Sequence, residues 1–282
     1  MIGDGSSMAE RAVRWNGGAA QFLHLPGNRS AGSAVVFLPG LLATSFCWRH
    51  SLPALSAIGA CYAPDFPGLG GSDAVARLGG IAGLASWARG FAAALQLGPV
   101  TVVASSWGGA AALRWALDAP QEMRALVLAA PANPFFHPVW RQRVLLRSAR
   151  LAGPALRRMP DRWHAQGLGA MFADPRRLTP EAAASYRRPL RRPGLGRILA
   201  GYVAGWRAEM AAMEARLAEL RAPTLLIWGA QDRIVPIASA QPLQAALAHA
   251  ELLVLADAGH APFEEQPEAF NASVIRFLRS RA

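Results

Sequence analysis

The chain has 282 residues, 52% of them hydrophobic, with a formal charge of +11 and two cysteines. That apolar content, free of low-complexity tracts, supports a sizeable core and excludes global disorder, and Cys47 and Cys61 are too few for a disulfide framework or a metal knuckle. Polar and turn residues break every apolar run before the roughly eighteen residues a membrane span needs. Met1–Arg14 lacks a basic start, apolar stretch and cleavage site, and no nucleic-acid-binding signature accompanies the charge, so a cytoplasmic globular protein with no membrane span and no nucleic-acid partner is expected.

In chain order, two strands near Ala12–Trp15 and Gln21–Leu25 end at turn-forming Gly residues and form a candidate hairpin. Short apolar runs then alternate with Ala/Leu-rich stretches. Ala34–Leu38, Cys61–Asp65, Val100–Ala104, Ala125–Ala129, Thr224–Trp228 and Leu252–Leu255 read as strands; Ser45–Ala57, Ile81–Leu97, Gly108–Leu117, Ala238–Ala248 and Pro267–Arg279 read as helices, the first with an internal Pro53. Unbroken apolarity in so short a run belongs to strands buried on both faces. The pattern predicts an α/β fold, a mainly parallel eight-stranded sheet with helices on both faces.

After Ala129 the alternation breaks for about ninety residues, a Pro-punctuated, Arg-rich and helical stretch running to Arg221. It reads as a lid of about four helices inserted over the strands' C-terminal edge, where ligands bind in open α/β sheets. Residues 1–131 and 222–282 then form the core, and 132–221 the lid. The chain contains no Lys, and 17 of its 29 Arg fall between Pro131 and Arg221 against six acidic residues, including Arg187-Arg188 and Arg191-Arg192 flanking Pro189-Leu190. Such a distribution is either a solvated helical surface or a positive face for an acidic partner or substrate.

The strongest local signal is Val102-Val103-Ala104-Ser105-Ser106-Trp107-Gly108-Gly109, an apolar strand running through a serine into a Gly/Ala-rich helix. It resembles a nucleophile elbow. A turn this tight needs small residues two before and two after the serine. Ala104 and Gly108 meet that need for Ser106, whereas Ser105 would place Trp107 at a crowded position. A serine at a helix start is otherwise an N-cap. Asp232 follows the strand Thr224–Trp228, and His260 follows Leu252–Leu255. Serine needs a base to take its proton, and the base needs an anion to fix its tautomer. Ser106, Asp232 and His260 lie in that chain order, each just past the end of a different strand, as candidate nucleophile, orienting acid and general base. Asp257, on the same loop as His260, reads as a turn or cap residue.

On these residues the chain resembles the α/β-hydrolase fold family. The usual first Gly of the elbow is Ala104, the acid loop is Trp228–Pro236, and Asp65–Asp73 matches a tight structural loop of the family. The family's rival acid position holds Ala130-Pro131-Ala132-Asn133-Pro134 and no carboxylate. Pro39-Gly40-Leu41-Leu42 resembles the His-Gly-x turn with Pro39 in place of His. The resemblance covers Val35–Asp73, Val100–Ala130 and Pro223–Phe277, not the lid. It implies an oxyanion hole from the backbone N–H groups of Leu41 and Trp107, with Leu42 the nearest alternative to Leu41, and no metal or organic cofactor.

Within the family, a serine at the elbow argues against dehalogenases and epoxide hydrolases, which carry Asp there. Carbon–carbon bond hydrolases share the triad but usually place a Trp soon after the His, where this chain has Ala261-Pro262-Phe263. Proline iminopeptidases share the Ser-Trp-Gly elbow, but their glycine-rich oxyanion loop is absent from Leu38–Thr44. The expected activity is a serine esterase that cleaves a small-molecule carboxylic ester, lactone or thioester through an acyl-enzyme. A carbon–carbon hydrolase on the same triad and a non-catalytic ligand receptor remain as alternatives. His260–Phe263 is also similar to esterases of carrier-bound acyl groups, which implies an acidic partner such as an acyl carrier protein.

Overall fold

The computed structural model describes residues 8–15, 18–27 and 33–281. Positions 1–7, which open the segment Met1–Arg14 read above for an address, lie outside the described residues. Eight strands form one sheet: β1 (Ala9–Trp15), β2 (Gly18–Leu25), β3 (Val35–Leu38), β4 (Cys61–Pro64), β5 (Val100–Ser105), β6 (Met123–Ala129), β7 (Thr224–Gly229) and β8 (Ala250–Leu255). Their spatial order is β1-β2-β4-β3-β5-β6-β7-β8. β1 and β2 are an antiparallel pair with Trp15 opposite Gly18, and β2 runs antiparallel to β4. The remaining pairs are parallel.

Twelve α-helices occur among the described residues. In chain order they are α1 (Ser51–Leu55), α2 (Gly80–Ala94), α3 (Ser106–Asp118), α4 (Trp140–Arg147), α5 (Ala149–Arg158), α6 (Asp161–Gly169), α7 (Pro180–Leu190), α8 (Leu195–Tyr202), α9 (Trp206–Glu214), α10 (Ala240–Ala246), α11 (Pro262–Glu265) and α12 (Pro267–Arg279). Successive strand residues face opposite sides of a sheet, so each apolar run feeds two cores at once. Val36, Leu38, Val102, Leu126 and Leu226 join one core with residues of α2, α3 and α10. Val35, Phe37, Val103, Val127 and Ile227 join the other with residues of α1 and α12. This double burial is why the central strands carry no polar alternation.

Two local readings are corrected. Ser45–Ala57 is not one helix; a 3-10 turn covers Ser45–Trp48 and α1 follows, with Pro53 in its first turn, where no earlier helical carbonyl meets the ring. Between β6 and β7 lie six helices, α4–α9, rather than about four. Gly194 and Gly205, with φ of +77° and +65°, turn the chain into α8 and α9 through left-handed backbone and so divide the segment into more, shorter helices.

Arg49 clasps Glu264 with two hydrogen bonds of 2.6 and 2.7 Å, and the Tyr186 hydroxyl of α7 donates to the same carboxylate at 2.6 Å. The Arg49 pair joins two segments of the core, and the Tyr186 bond to the same carboxylate seats the insertion on them. Three of the four arginines in the densest cation cluster are engaged: Arg187 and Arg191 both pair with Asp161 of the insertion, and Arg192 donates to the Gly70 carbonyl outside it. Among the described residues, no helix is long and apolar enough to cross a membrane.

Candidate active site

β5 ends at Ser105 and α3 begins at Ser106, whose φ of +49° places a non-glycine residue in left-handed backbone. That conformation costs on the order of 1–3 kcal/mol and persists only where the surroundings enforce it. Two contacts do so. The Ala132 N–H donates to the Ser106 carbonyl at 2.8 Å, and a Cβ at Gly108 would lie 2.3 Å from the Pro39 carbonyl oxygen, so only glycine lets α3 start against the end of β3. The N-cap of α3 is Ser105, and its hydroxyl makes no capping bond. Ser106 is therefore not the cap; it is strained, half-buried and lines a cavity that Ser105 does not reach.

Asp232 lies three residues beyond β7. Its Oδ1 accepts the N–H groups of Ile234 and Val235 at 2.7 and 2.9 Å, which locks the carboxylate, and its Oδ2 meets His260 Nδ1 at 2.8 Å. Because a carboxylate only accepts, Nδ1 carries the proton and Nε2 of the neutral ring keeps its lone pair. Both side chains are buried. Asp257 is exposed, and its backbone carbonyl accepts from Arg177 at 2.6 Å.

The His260 loop follows β8 and leans on the insertion. His260 N–H donates to the Met171 carbonyl at 2.7 Å. Glu265, with a fully buried side chain, accepts Gly259 N–H on one oxygen at 2.6 Å and Ala173 N–H on the other at 2.7 Å. A Cβ on Gly259 would stand 2.7 Å from both Ala173 N and Met171 O. Burial pushes the Glu265 carboxyl up, and the backbone N–H groups of Gly259, Ala173 and Asp174, with the Arg177 charge, pull it part of the way back. Sequence reasoning missed this residue, since one of its partners is 92 positions away.

Glu265→Gln offers an amide N–H₂ to one of two N–H donors, so one bond is lost and a buried donor is left unpaired, at a cost of about 1–3 kcal/mol. The expected result is a lower urea midpoint together with a kcat reduced about tenfold and KM little changed, because the His260 loop shifts while the pocket wall does not. Unchanged kcat at the lower stability would confine Glu265 to folding.

Leu41, Leu42 and Trp107 border the same cavity as Ser106 and His260. Trp107 is the second residue of α3, so its N–H belongs to the turn that has no intrahelical acceptor. Among the described residues, the Leu41 N–H likewise has no protein acceptor. Leu42 sits at φ +64°, a second strained position on this rim. The Trp107 indole is turned away and donates to the Tyr202 carbonyl at 3.2 Å.

The cavity measures about 320 Å³ and is roofed by Phe136, Leu146, Leu168, Met171 and Leu190 of the insertion. Besides Ser106 and His260, its polar side chains are Gln142 and Tyr186. Gln142 is held at both ends by Val139 N–H and the Ile234 carbonyl, and Tyr186 by Glu264. No Arg, Asp or Glu lines it among the described side chains. Wider grooves of about 600 and 710 Å³ run elsewhere and contain neither Ser106 nor His260. Burial pushes Cys47 well up and Cys61 to about 12, so neither thiol is a nucleophile at neutral pH. Among the described residues, no three His, Cys, Asp or Glu side chains gather as metal ligands would.

The alpha/beta hydrolase fold family matches residues 33–267. The chain is 28% identical over 258 residues to 2-hydroxy-6-oxo-6-phenylhexa-2,4-dienoate hydrolase of Burkholderia cepacia, covering 88% of each protein. It is 29% identical over 281 residues to 2-hydroxy-6-oxo-2,4-heptadienoate hydrolase of Pseudomonas putida, covering 93% of this chain and 94% of that one. Among solved structures, the phenylhexadienoate hydrolase of Rhodococcus sp. strain RHA1 superposes with a TM-score of 0.83 at 25% identity, covering 97% of this chain and 99% of that chain. A carboxylesterase of Bacillus subtilis gives 0.80 at 21% identity over 97% and 92%, a likeness of fold. The chain belongs to the alpha/beta hydrolase fold family, and its class of activity is that of a hydrolase.

Proposed function

We propose that the protein is a serine hydrolase of uncharged carboxylic esters, lactones or thioesters, with the insertion acting as the lid of its pocket and the cytoplasm as its place of action. Ser106 Oγ attacks the carbonyl carbon as its proton passes to His260 Nε2, and Asp232 stabilises the imidazolium that results. The oxyanion accepts the N–H groups of Leu41 and Trp107, the latter at the positive end of α3. Collapse expels the alcohol with the proton from His260 and leaves an acyl-Ser106. Water, deprotonated by His260, then attacks that ester and releases the acid. No metal or organic cofactor enters these steps.

The observation that carries the ester reading is the wall of the cavity. The relatives from Burkholderia cepacia and Pseudomonas putida are named for dienoates, substrates that bear a carboxylate. Around Ser106 and His260, the described side chains provide no cation to receive one. An ionised group left unpaired in an apolar pocket costs several kcal/mol, so the carbon–carbon reaction is disfavoured, whereas a neutral ester meets the Leu, Phe and Met surface.

The test is kcat/KM for p-nitrophenyl butyrate beside that for a 2-hydroxy-6-oxodienoate, with a fluorophosphonate to label the nucleophile. Labelling at Ser106 and a preference for the ester of about a hundredfold or more are expected. Faster turnover of the dienoate would assign the carbon–carbon reaction, and labelling with neither turnover would make the protein a receptor.

A further inference from the structure

Seven large hydrophobic side chains are strongly exposed among the described residues, and five of them fall within 25 consecutive positions: Val139 (56%), Trp140 (68%), Val144 (55%), Leu151 (77%) and Trp163 (54%). The same stretch, spanning α4, α5 and the start of α6, contains seven Arg against the single acid Asp161. Asp161 is already shared by Arg187 of α7 and Arg191 just past its end. Of the stretch's own arginines, Arg147, Arg150, Arg157, Arg158 and Arg162 form no ion pair with a carboxylate among the described residues. Helical spacing sets Trp140, Val144 and Arg147 along one side of α4, while Gln142 and Leu146 on its other side line the cavity.

We propose that this outer face of α4–α6 is a docking surface for an anionic lipid bilayer. Protruding Trp, Leu and Val among arginines is the composition of a segment that lies in a headgroup layer, apolar tips buried and cations against lipid phosphates. Charge selects the occupant. A second copy of the chain would set one arginine-rich face against another, and like charges so opposed repel. None of these five apolar side chains lines the cavity at Ser106 or the neighbouring groove of about 410 Å³ bordered by Arg150 and Arg157; a fluid layer receives such exposed groups wherever they point. The surface is the outside of the cavity's roof, which places a pocket with an apolar wall at the source of lipid-soluble molecules. Vesicle binding is read without turnover, so its failure is distinct from failure of the ester assignment.

The experiment is co-sedimentation of the full chain with vesicles of phosphatidylcholine alone and with one-third phosphatidylglycerol, at low and high salt. Two variants accompany it: Arg147→Gln/Arg150→Gln/Arg158→Gln and Val144→Ser/Leu151→Ser/Trp163→Ser, with circular dichroism as the check on folding. Binding to the anionic vesicles alone is expected, weakened about a hundredfold by the arginine variant, at roughly a factor of five per charge, and at least about tenfold by the apolar variant. No binding of the parent protein to anionic vesicles overturns the proposal. Binding that the arginine variant loses but the apolar variant keeps also overturns it, since charge without insertion describes an acidic macromolecule as partner. A concentration-dependent dimer that the apolar variant abolishes would assign the face to self-association instead.

Discussion

Ser106→Ala is expected to lower kcat for a p-nitrophenyl ester by about 10⁶, leaving only what the oxyanion donors and binding supply. The fold should be untouched. The Ser106 hydroxyl holds nothing together; it is the backbone carbonyl that takes the Ala132 N–H, and alanine keeps that bond. Alanine also accepts the φ of +49° on the same terms as serine. Ser105→Ala is the internal control, because Ser105 is buried beside the reaction centre yet outside the cavity. A melting temperature shared with the parent, and a kcat lost at position 106 alone, is the expected pair of results. Equal losses at both positions would reject Ser106 as nucleophile.

Asp232→Asn is expected to cost about 10⁴ in kcat, again without unfolding the chain. The amide oxygen still accepts from Ile234 and Val235, so the turn after β7 survives. What changes is the atom facing His260. An amide N–H₂ toward Nδ1 makes that nitrogen the acceptor and moves the ring proton to Nε2, where it blocks transfer from Ser106. Asp257→Asn should stay within a fewfold of the parent, since that side chain is exposed and the imidazole already has Asp232. A reversed ranking would pass the orienting role to Asp257.

The sheet, the Asp232–His260 pair and the cavity that Ser106 and His260 share were legible because all depend on short stretches of chain. Two-sided burial writes itself as unbroken Val, Leu and Ala, and the tight serine turn writes itself as Ala104 and Gly108. The helix expected over Pro267–Arg279 is α12 residue for residue, since a proline at its first position and a single apolar stripe mark it. The insertion was less legible for physical reasons. All six of its helices run to eleven residues or fewer, so no stripe lasts long enough to count. Arg187 and Arg191 read as free charge because their partner Asp161 is about thirty positions back. Glu265 carries no motif of its own, and only the fold brings Ala173 to it.

The bond from His260 N–H to the Met171 carbonyl bears on how new members of this architecture could be assembled. An exchange of the whole segment between β6 and β7 with that of another such protein would replace the carbonyl that holds His260 and the Ala173 amide that satisfies Glu265. The graft would bring a new pocket wall and lose the support of its own chemistry. Recombination that keeps residues 171–173 with the His260 loop, and exchanges only the helices on either side, preserves both. The divisible unit of this protein therefore does not coincide with the segment inserted between β6 and β7: three residues in its middle belong functionally to the other part.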